Sequence, residues 1–275
     1  MDFDEIRKLS YSQLISKLPE IVSSFSTSMY ISKGRAHRWN RMHNRKIMKT
    51  VSIPGEIEKY IVGEIKNLDK YIESKMNIAL LIKNCWYISY YPFEVAIMEL
   101  INEYIVKFRD KIDKKIVIFI ENFRRKKNRP FDTFYAGDLA WLLGIYFNSL
   151  IKGSRLITYR NKNMESDFPQ SDIFPFHNYI KEVHEIDGID IYKEVTNNSG
   201  SDCIIYITET FGNDYGYYDK LELIVNKGFG EKKPVVIVWS LRSRYKITPE
   251  KYTIKYLQGF TENSFIEIED IINKI

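Results

Sequence analysis

From Lys115 onward, short apolar runs of strand length alternate with amphipathic, helix-like segments. The runs are KIVIFIENF (115–123), RLITY (155–159), SDCIIYITETF (201–211) and PVVIVW (234–239). Continuous apolar runs of this length are typical of strands that are buried on both faces of a parallel sheet. The alternation of strand and helix therefore predicts an α/β fold of the doubly wound parallel class.

The segments between the runs have helical apolar periodicity. The first helix has a predicted buried face from 139 to 151, and Gly153 follows it as a C-terminal cap. The last helix is predicted to begin near Ser264, because Glu267 stands three residues on, at the spacing of a capping box. Shorter helical candidates lie at 179–183 and 221–225.

The N-terminal part, residues 1–112, has a mainly helical pattern. Residues 2–25 predict a helix, a turn and a second helix, with a break at Pro19, and 56–73 and 96–109 predict further helices. The segment 77–91 fits either a strand or a buried helix, and its pattern does not separate the two. We place the domain boundary in the stretch DKIDK (110–114), so that the α/β domain spans 113–275.

The most basic stretch of the chain is 33–49, which contains no acidic residue. Cations interleaved with an aromatic ring can neutralise a phosphate backbone while the ring stacks on a base. This pattern predicts a nucleic-acid-binding segment, and a solvated basic face is the alternative. The candidate contact residues are Arg35, Arg38, Trp39, Arg41, Arg45 and Lys46.

Composition excludes several classes of protein. Hydrophobic residues make up 44% of the chain and aromatic residues 15%, which is incompatible with a mainly disordered chain. The longest apolar runs are too short to span a bilayer, and the acidic N-terminus MDFDEIRKLS does not resemble a signal peptide. Cys85 and Cys203 lie in apolar runs and are expected to be core thiols in a reducing compartment. We therefore expect a cytoplasmic protein with no membrane partner.

Ligands of open parallel sheets bind outside the carboxyl ends of the strands. That rule selects the loop 121–138, the loop after Tyr159, the loop 209–219 and the loop after Trp239. No glycine-rich phosphate loop is present. A metal site is not predicted, because His37 and His43 have no Cys or further His nearby. A hydrolase triad is not predicted either, because no Ser or Cys nucleophile motif accompanies His177 and His184.

The C-terminal part resembles the TIR domain superfamily and the related nucleoside 2-deoxyribosyltransferase-like proteins. The resemblance covers 115–275. It rests on IVIFIENF as opening strand, on the helix followed by GSRLITY, and on SDCIIYITETFGNDYGYYDKLELIVNKGFGEKKPVVIVW, in which Glu222 and Leu223 match the family's Glu-Leu pair. The resemblance implies a TIR-like or flavodoxin-like sheet, self-association, and cleavage of an N-glycosidic bond in NAD or a nucleotide, with NAD as a substrate and no bound cofactor.

The reaction implied by the resemblance needs a carboxylate beside the anomeric carbon, where an oxocarbenium-like centre develops. Glu222 is the predicted catalytic carboxylate. The predicted substrate-binding residues are Asn122, Phe211, Asp214, Tyr215 and Tyr218. Two alternatives remain open at this stage. One is a non-enzymatic nucleic-acid-binding protein that uses 33–49, and the other is a structural or interaction module of a virus or mobile element.

Overall fold

The computed structural model describes residues 2–29, 48–88, 90–121, 136–160, 164–168, 190–208, 215–227, 233–241 and 254–275. Contacts divide these residues into two compact units, one that extends to Ile101 and one that begins at Asn102. The division therefore falls inside a helix and before the predicted boundary at 112/113. The residues just after this division belong to the second unit, because Tyr104 and Phe108 line a cavity together with residues of the α/β part such as Phe147.

The first unit is mainly helical. Its elements are α1 (Phe3–Arg7), α2 (Tyr11–Ser24), β1 (Ser26–Met29), β2 (Met48–Val51), α3 (Gly55–Ile65), α4 (Leu68–Glu73), α5 (Ile78–Tyr87) and the first part of α6 (Tyr91–Phe108). The 56–73 pattern is thus two helices, because Asn67 caps a new helix with its side chain. The ambiguous segment 77–91 contains α5, which begins after the N-cap Asn77.

The break predicted at Pro19 is wrong, because Pro19 lies inside α2. Proline has no N–H, so the carbonyl of Ile15, four residues earlier, loses its usual intrahelical partner. The side-chain amide of Asn84 donates to that carbonyl over 2.7 Å, and Asn84 is buried. This bond satisfies a buried carbonyl that the proline leaves open, and it lets the helix continue through residue 19.

Strands β1 and β2 form an antiparallel two-stranded ribbon. Met29 is paired with Met48, and Ser26 is paired with Val51. Residues 30–47 connect the two strands, so both ends of the predicted basic segment start from neighbouring positions. Its six candidate residues, Arg35, Arg38, Trp39, Arg41, Arg45 and Lys46, lie outside the described residues.

The second unit is an α/β layer structure, as predicted. Its elements are the end of α6, a 3-10 turn (Arg109–Lys111), β3 (Ile116–Glu121), α7 (Ala136–Leu150), β4 (Arg155–Arg160), β5 (Met164–Phe168), α8 (Ile191–Asn197), β6 (Cys203–Thr208), α9 (Tyr215–Lys227), β7 (Val235–Ser240), β8 (Lys255–Gln258) and α10 (Glu262–Lys274). The helix predicted at 179–183 lies outside the described residues.

The sheet has the strand order β5-β4-β3-β6-β7-β8. The pairs from β4 to β8 are parallel, whereas β5 pairs with β4 in the antiparallel sense. The five parallel strands follow the flavodoxin-like order, with β3 as the first strand of the sheet. The antiparallel edge strand β5 was not predicted, and such an edge on a parallel sheet is common.

Helices cover both faces of the sheet. On one face, Phe119 and Tyr206 share a buried cluster with Ile191 of α8 and Leu221 of α9. On the other face, Gly144 of α7 lies so close that a Cβ atom there would be 2.7 Å from Ile120 Cδ1. The Phe265 ring of α10 packs on Trp239 of β7 and stacks on Phe147 of α7. The core is therefore built in two layers, one on each side of β3, β6 and β7.

Two helix starts differ from the predictions. The last helix begins with Thr261 as N-cap, whose hydroxyl accepts a hydrogen bond from the backbone N–H of Ser264 over 3.1 Å. Helix α8 was not predicted, and the Asp190 side chain caps it by accepting from the Lys193 N–H. Gly153 has a φ of +83°, which agrees with its predicted role near the end of α7.

Among the described helices, none combines the length and apolar character needed to cross a bilayer.

We expect Asn84→Ala to lower the free energy of unfolding by about 1–3 kcal/mol, because it leaves the Ile15 carbonyl buried without its donor. In the Pro19→Ala background the same substitution should cost less, since the new N–H of residue 19 can bond that carbonyl. Urea unfolding of the four chains of this double-mutant cycle measures the coupling. Equal costs in both backgrounds would contradict the assignment.

The buried thiol of Cys203 should be inert in the folded chain. Burial, with a smaller contribution from Asp202, raises its pKa to about 12. At pH 8 we expect iodoacetamide to label Cys203 at least about a hundredfold more slowly than in the urea-unfolded chain, because the thiolate is the reactive form. Mass spectrometry of the peptide that contains Cys203 measures both rates, and equal rates would contradict its burial.

Candidate functional site

The strands change from apolar to polar residues at their carboxyl ends. In one row of the register, Ile120, Ile207, Trp239 and Leu257 are all buried and apolar. The next row toward the carboxyl edge contains Glu121, Thr208, Ser240 and Gln258. We call this second row the polar row. The strands therefore change from apolar to polar residues within one residue at this edge of the sheet.

Glu121 and Thr208 lie at the topological switch point. The chain leaves β3 toward β4 on one side, and it leaves β6 toward β7 on the other. Glu121 and Thr208 are partners in the parallel register between β3 and β6. In sheets of this order the connections diverge at that point and leave a crevice, which is where ligands bind.

Thr158 is a buried threonine one row before the polar row, on the face of the sheet opposite to Thr208. It is paired with Ile120 in the β3–β4 register and is fully buried. Its Oγ1 atom has no hydrogen-bond partner within the described ranges. A buried hydroxyl is expected to be bonded, so this atom marks a place where a ligand, a water molecule or another group can supply the missing bond.

The predicted substrate-binding residues follow the two strands that form the switch point. Asn122 comes directly after β3, and Phe211 and Asp214 come after β6; these three lie outside the described residues. Tyr215 and Tyr218 are in the first turn of α9, which begins after the carboxyl end of β6. By chain position, two of the four loops selected from the sequence, 121–138 and 209–219, therefore begin at the strands of the switch point.

Glu222 lies further along α9 and has structural partners. Its Oε2 atom accepts the backbone N–H of Ile254 over 3.3 Å, and its Oε1 atom accepts from the Asn226 amide over 3.3 Å. Ile254 directly precedes Lys255, which pairs with Ile237 in β7. The carboxylate is thus held about 13 Å along the strand direction from the row of Ser240, at about 3.3 Å per residue. The catalytic role of Glu222 stays a prediction.

Sequence reasoning selected the loop that begins at Glu121, but it did not single out Glu121 as a functional residue. The signal that could have found it was an acidic residue that closes an otherwise apolar strand, IVIFIE. Thr208 closes β6 in the same way. A carboxylate paired with a hydroxyl at one edge can bind sugar hydroxyls, order a water molecule or stabilise a developing positive charge.

Comparison with known proteins shows a similarity of fold to one solved structure. No protein-family model matches the chain, and no curated protein matches it. The structure is similar to the crystal structure of the Deinococcus radiodurans RO (RSR) protein, with a TM-score of 0.53 and 7% sequence identity. The match covers 93% of this chain and 51% of that one, so this chain spans about half the length of its neighbour.

We expect Thr158→Val to leave the thermal stability unchanged or to raise it, because valine has a similar shape and lacks the hydroxyl that has no partner among the described residues. Thr158→Ser is the matched control. It keeps the hydroxyl, removes a buried methyl group and should cost about 1 kcal/mol. Differential scanning calorimetry compares the two. A large loss in the valine variant would show that the hydroxyl has a partner within the folded chain.

Proposed function

We propose that the second unit binds NAD or a related nucleotide at the carboxyl edge of its sheet and hydrolyses the N-glycosidic bond. The observation that supports this proposal is the pairing of Glu121 with Thr208 at the switch point. This is the position at which sheets of the same strand order bind nucleotides. Within this proposal the sheet is TIR-like, and active enzyme forms by self-association.

The proposed reaction needs one carboxylate and one water molecule. The bond between the ribose C1′ atom and the base nitrogen breaks, and its electron pair leaves with the base. A fixed carboxylate stabilises the positive charge that develops on the sugar, water adds to C1′ and a proton is released. For NAD the products are nicotinamide and ADP-ribose. Glu121 is the carboxylate that the register favours for this task, and Glu222 is the one that the TIR resemblance favours.

The test is nicotinamide release from NAD by the purified full chain at high protein concentration. We expect Glu121→Gln to lower turnover by about a hundredfold, because the neutral amide no longer stabilises the developing charge. Glu222→Gln should change turnover less than threefold, since an amide oxygen can still accept the Ile254 N–H. Glu103→Gln, a substitution of an exposed residue on α6, is the matched control.

The pattern of the variants distinguishes the two carboxylates. A large loss in Glu222→Gln with normal turnover in Glu121→Gln would assign the reaction to Glu222. An absence of nicotinamide release by the unsubstituted chain, both dilute and concentrated, would contradict the enzymatic proposal as a whole.

A second function is favoured by a different observation, the antiparallel ribbon of β1 and β2. The ribbon fixes the two ends of 30–47 at paired positions, Met29 and Met48. Both ends of this arginine-rich stretch are therefore held at one place in the first unit. We propose that this segment binds the phosphate backbone of single-stranded nucleic acid, with Trp39 as the ring that stacks on a base.

Binding through this segment should depend steeply on salt. Neutralising Arg35, Arg38, Arg41 and Arg45 to Gln should reduce the slope of log affinity against log salt by about 0.7 for each phosphate that the segment no longer neutralises. Fluorescence anisotropy with a labelled oligonucleotide at several salt concentrations measures the slope. The control neutralises four exposed lysines, Lys59, Lys75, Lys83 and Lys107. An equal reduction in the control would show that the binding is not specific to this segment.

A further inference from the structure

A cavity in the second unit lies away from the carboxyl edge of the sheet. It has a volume of about 200 Å³ and is formed by the end of α6, the following 3-10 turn, the end of α7 and the last turns of α10. Its walls are mostly apolar and aromatic, with contributions from Phe108, Phe147, Leu150, Ile151 and Ile272. The polar groups at the cavity are Tyr104, Lys111, Glu269 and Asn273.

Glu269 is a half-buried carboxylate without a cationic partner among the described residues. Its hydrogen bond comes from the Tyr146 hydroxyl, which donates to Oε1 over 3.4 Å. Burial raises the pKa of Glu269, and the neighbouring Asp270 raises it further, whereas the Tyr146 bond lowers it. Burial disfavours the charged form of a carboxylate. A cation that enters the same cavity stabilises that charged form.

Three helices end at this cavity. Helix α6 ends at Phe108, α7 ends at Leu150, and α10 ends one residue after Asn273. The carboxyl end of a helix has a partial negative charge, so the three ends add to the negative potential from Glu269. These groups attract a cation, and the positive charge of Lys111 at the same cavity offsets part of that attraction.

The aromatic wall already accepts a positive charge. The Lys111 ammonium lies over the Phe108 ring, 4.2 Å from its centroid. This geometry is that of a cation–π contact. A ring face, a carboxylate and three helix ends therefore converge on one cavity.

We propose that this cavity binds a small organic ammonium ion, with its charged group beside Glu269 and its apolar body against Phe108 and Phe147. The ligand class is an amine with one ring or a short aliphatic chain. The site is separate from the proposed nucleotide site, because its residues come from helix ends and none belongs to the polar row. Neither proposal depends on the other.

Isothermal titration calorimetry of the full chain with 2-phenylethylammonium tests the proposal. We expect saturable binding, at least tenfold tighter than that of the neutral 2-phenylethanol, and no binding of phenylacetate. Glu269→Gln should lower the affinity for the ammonium ion at least tenfold. Glu267→Gln, an exposed substitution on the same helix, is the matched control and should leave the affinity unchanged.

The unfolding temperature of each variant shows whether a loss of binding comes from a loss of folding. Glu269→Gln should unfold at a temperature no lower than the unsubstituted chain at pH 7, because it removes a charge that burial disfavours. Phe108→Leu keeps an apolar wall but removes the ring face, and it should weaken binding roughly twofold to fivefold. Equal affinity for 2-phenylethanol, an absence of ammonium binding, or full affinity in Glu269→Gln would overturn the proposal.

The pH dependence supplies a second readout. The affinity should fall as the pH is lowered through the pKa of Glu269, which lies above its ordinary value of 4.5. The other groups around Glu269 are Tyr104 from α6, Lys111 from the 3-10 turn, Tyr146 from α7 and its neighbour Asp270. Burial raises the pKa of Tyr104. Asp270 is exposed. An affinity that stays constant between pH 4 and 8 would contradict a role for Glu269.

Discussion

Burial of the central strands on both faces is the constraint on which the second unit depends. Every residue of β6 is buried, and the same holds for Ile116 to Ile120 of β3. A strand in this position contacts helices above and below, and both of its edges are occupied by neighbouring strands. Polar side chains are therefore excluded from the middle of the sheet. They are placed instead where each strand ends, which is why Glu121, Thr208 and Ser240 come to lie in one row.

The parts of the fold that follow from such burial could be predicted from the sequence. The four apolar runs are β3, β4, β6 and β7, and the α/β class follows from their alternation with helices. The strand β5, MESDF, carries two acids and lies at the sheet edge, so it has no continuous apolar signal. Pro19 was mistaken for a helix end because its compensating donor, Asn84, is 69 residues away from the carbonyl it satisfies. Local pattern contains no information on such a distant partner.

The candidate sites were predictable to different degrees. The rule for parallel sheets selected the loops after all four predicted strands, and two of them, 121–138 and 209–219, begin at the switch point. It could not assign Glu222 a partner, since the Ile254 N–H is 32 residues away. The cavity at Glu269 was missed altogether. It combines residues from 104 to 273, and an isolated acid on an amphipathic helix has no sequence signal that distinguishes it from a solvated one.

The ribbon of β1 and β2 makes the stretch between them separable from the rest of the first unit. Paired residues of an antiparallel ribbon have Cα atoms only about 5 Å apart, so a short hairpin turn could bridge the same gap. The entropy of closing a longer connection grows slowly with its length. Insertions, deletions or exchange of 30–47 should therefore leave the pairing of Met29 with Met48 in place.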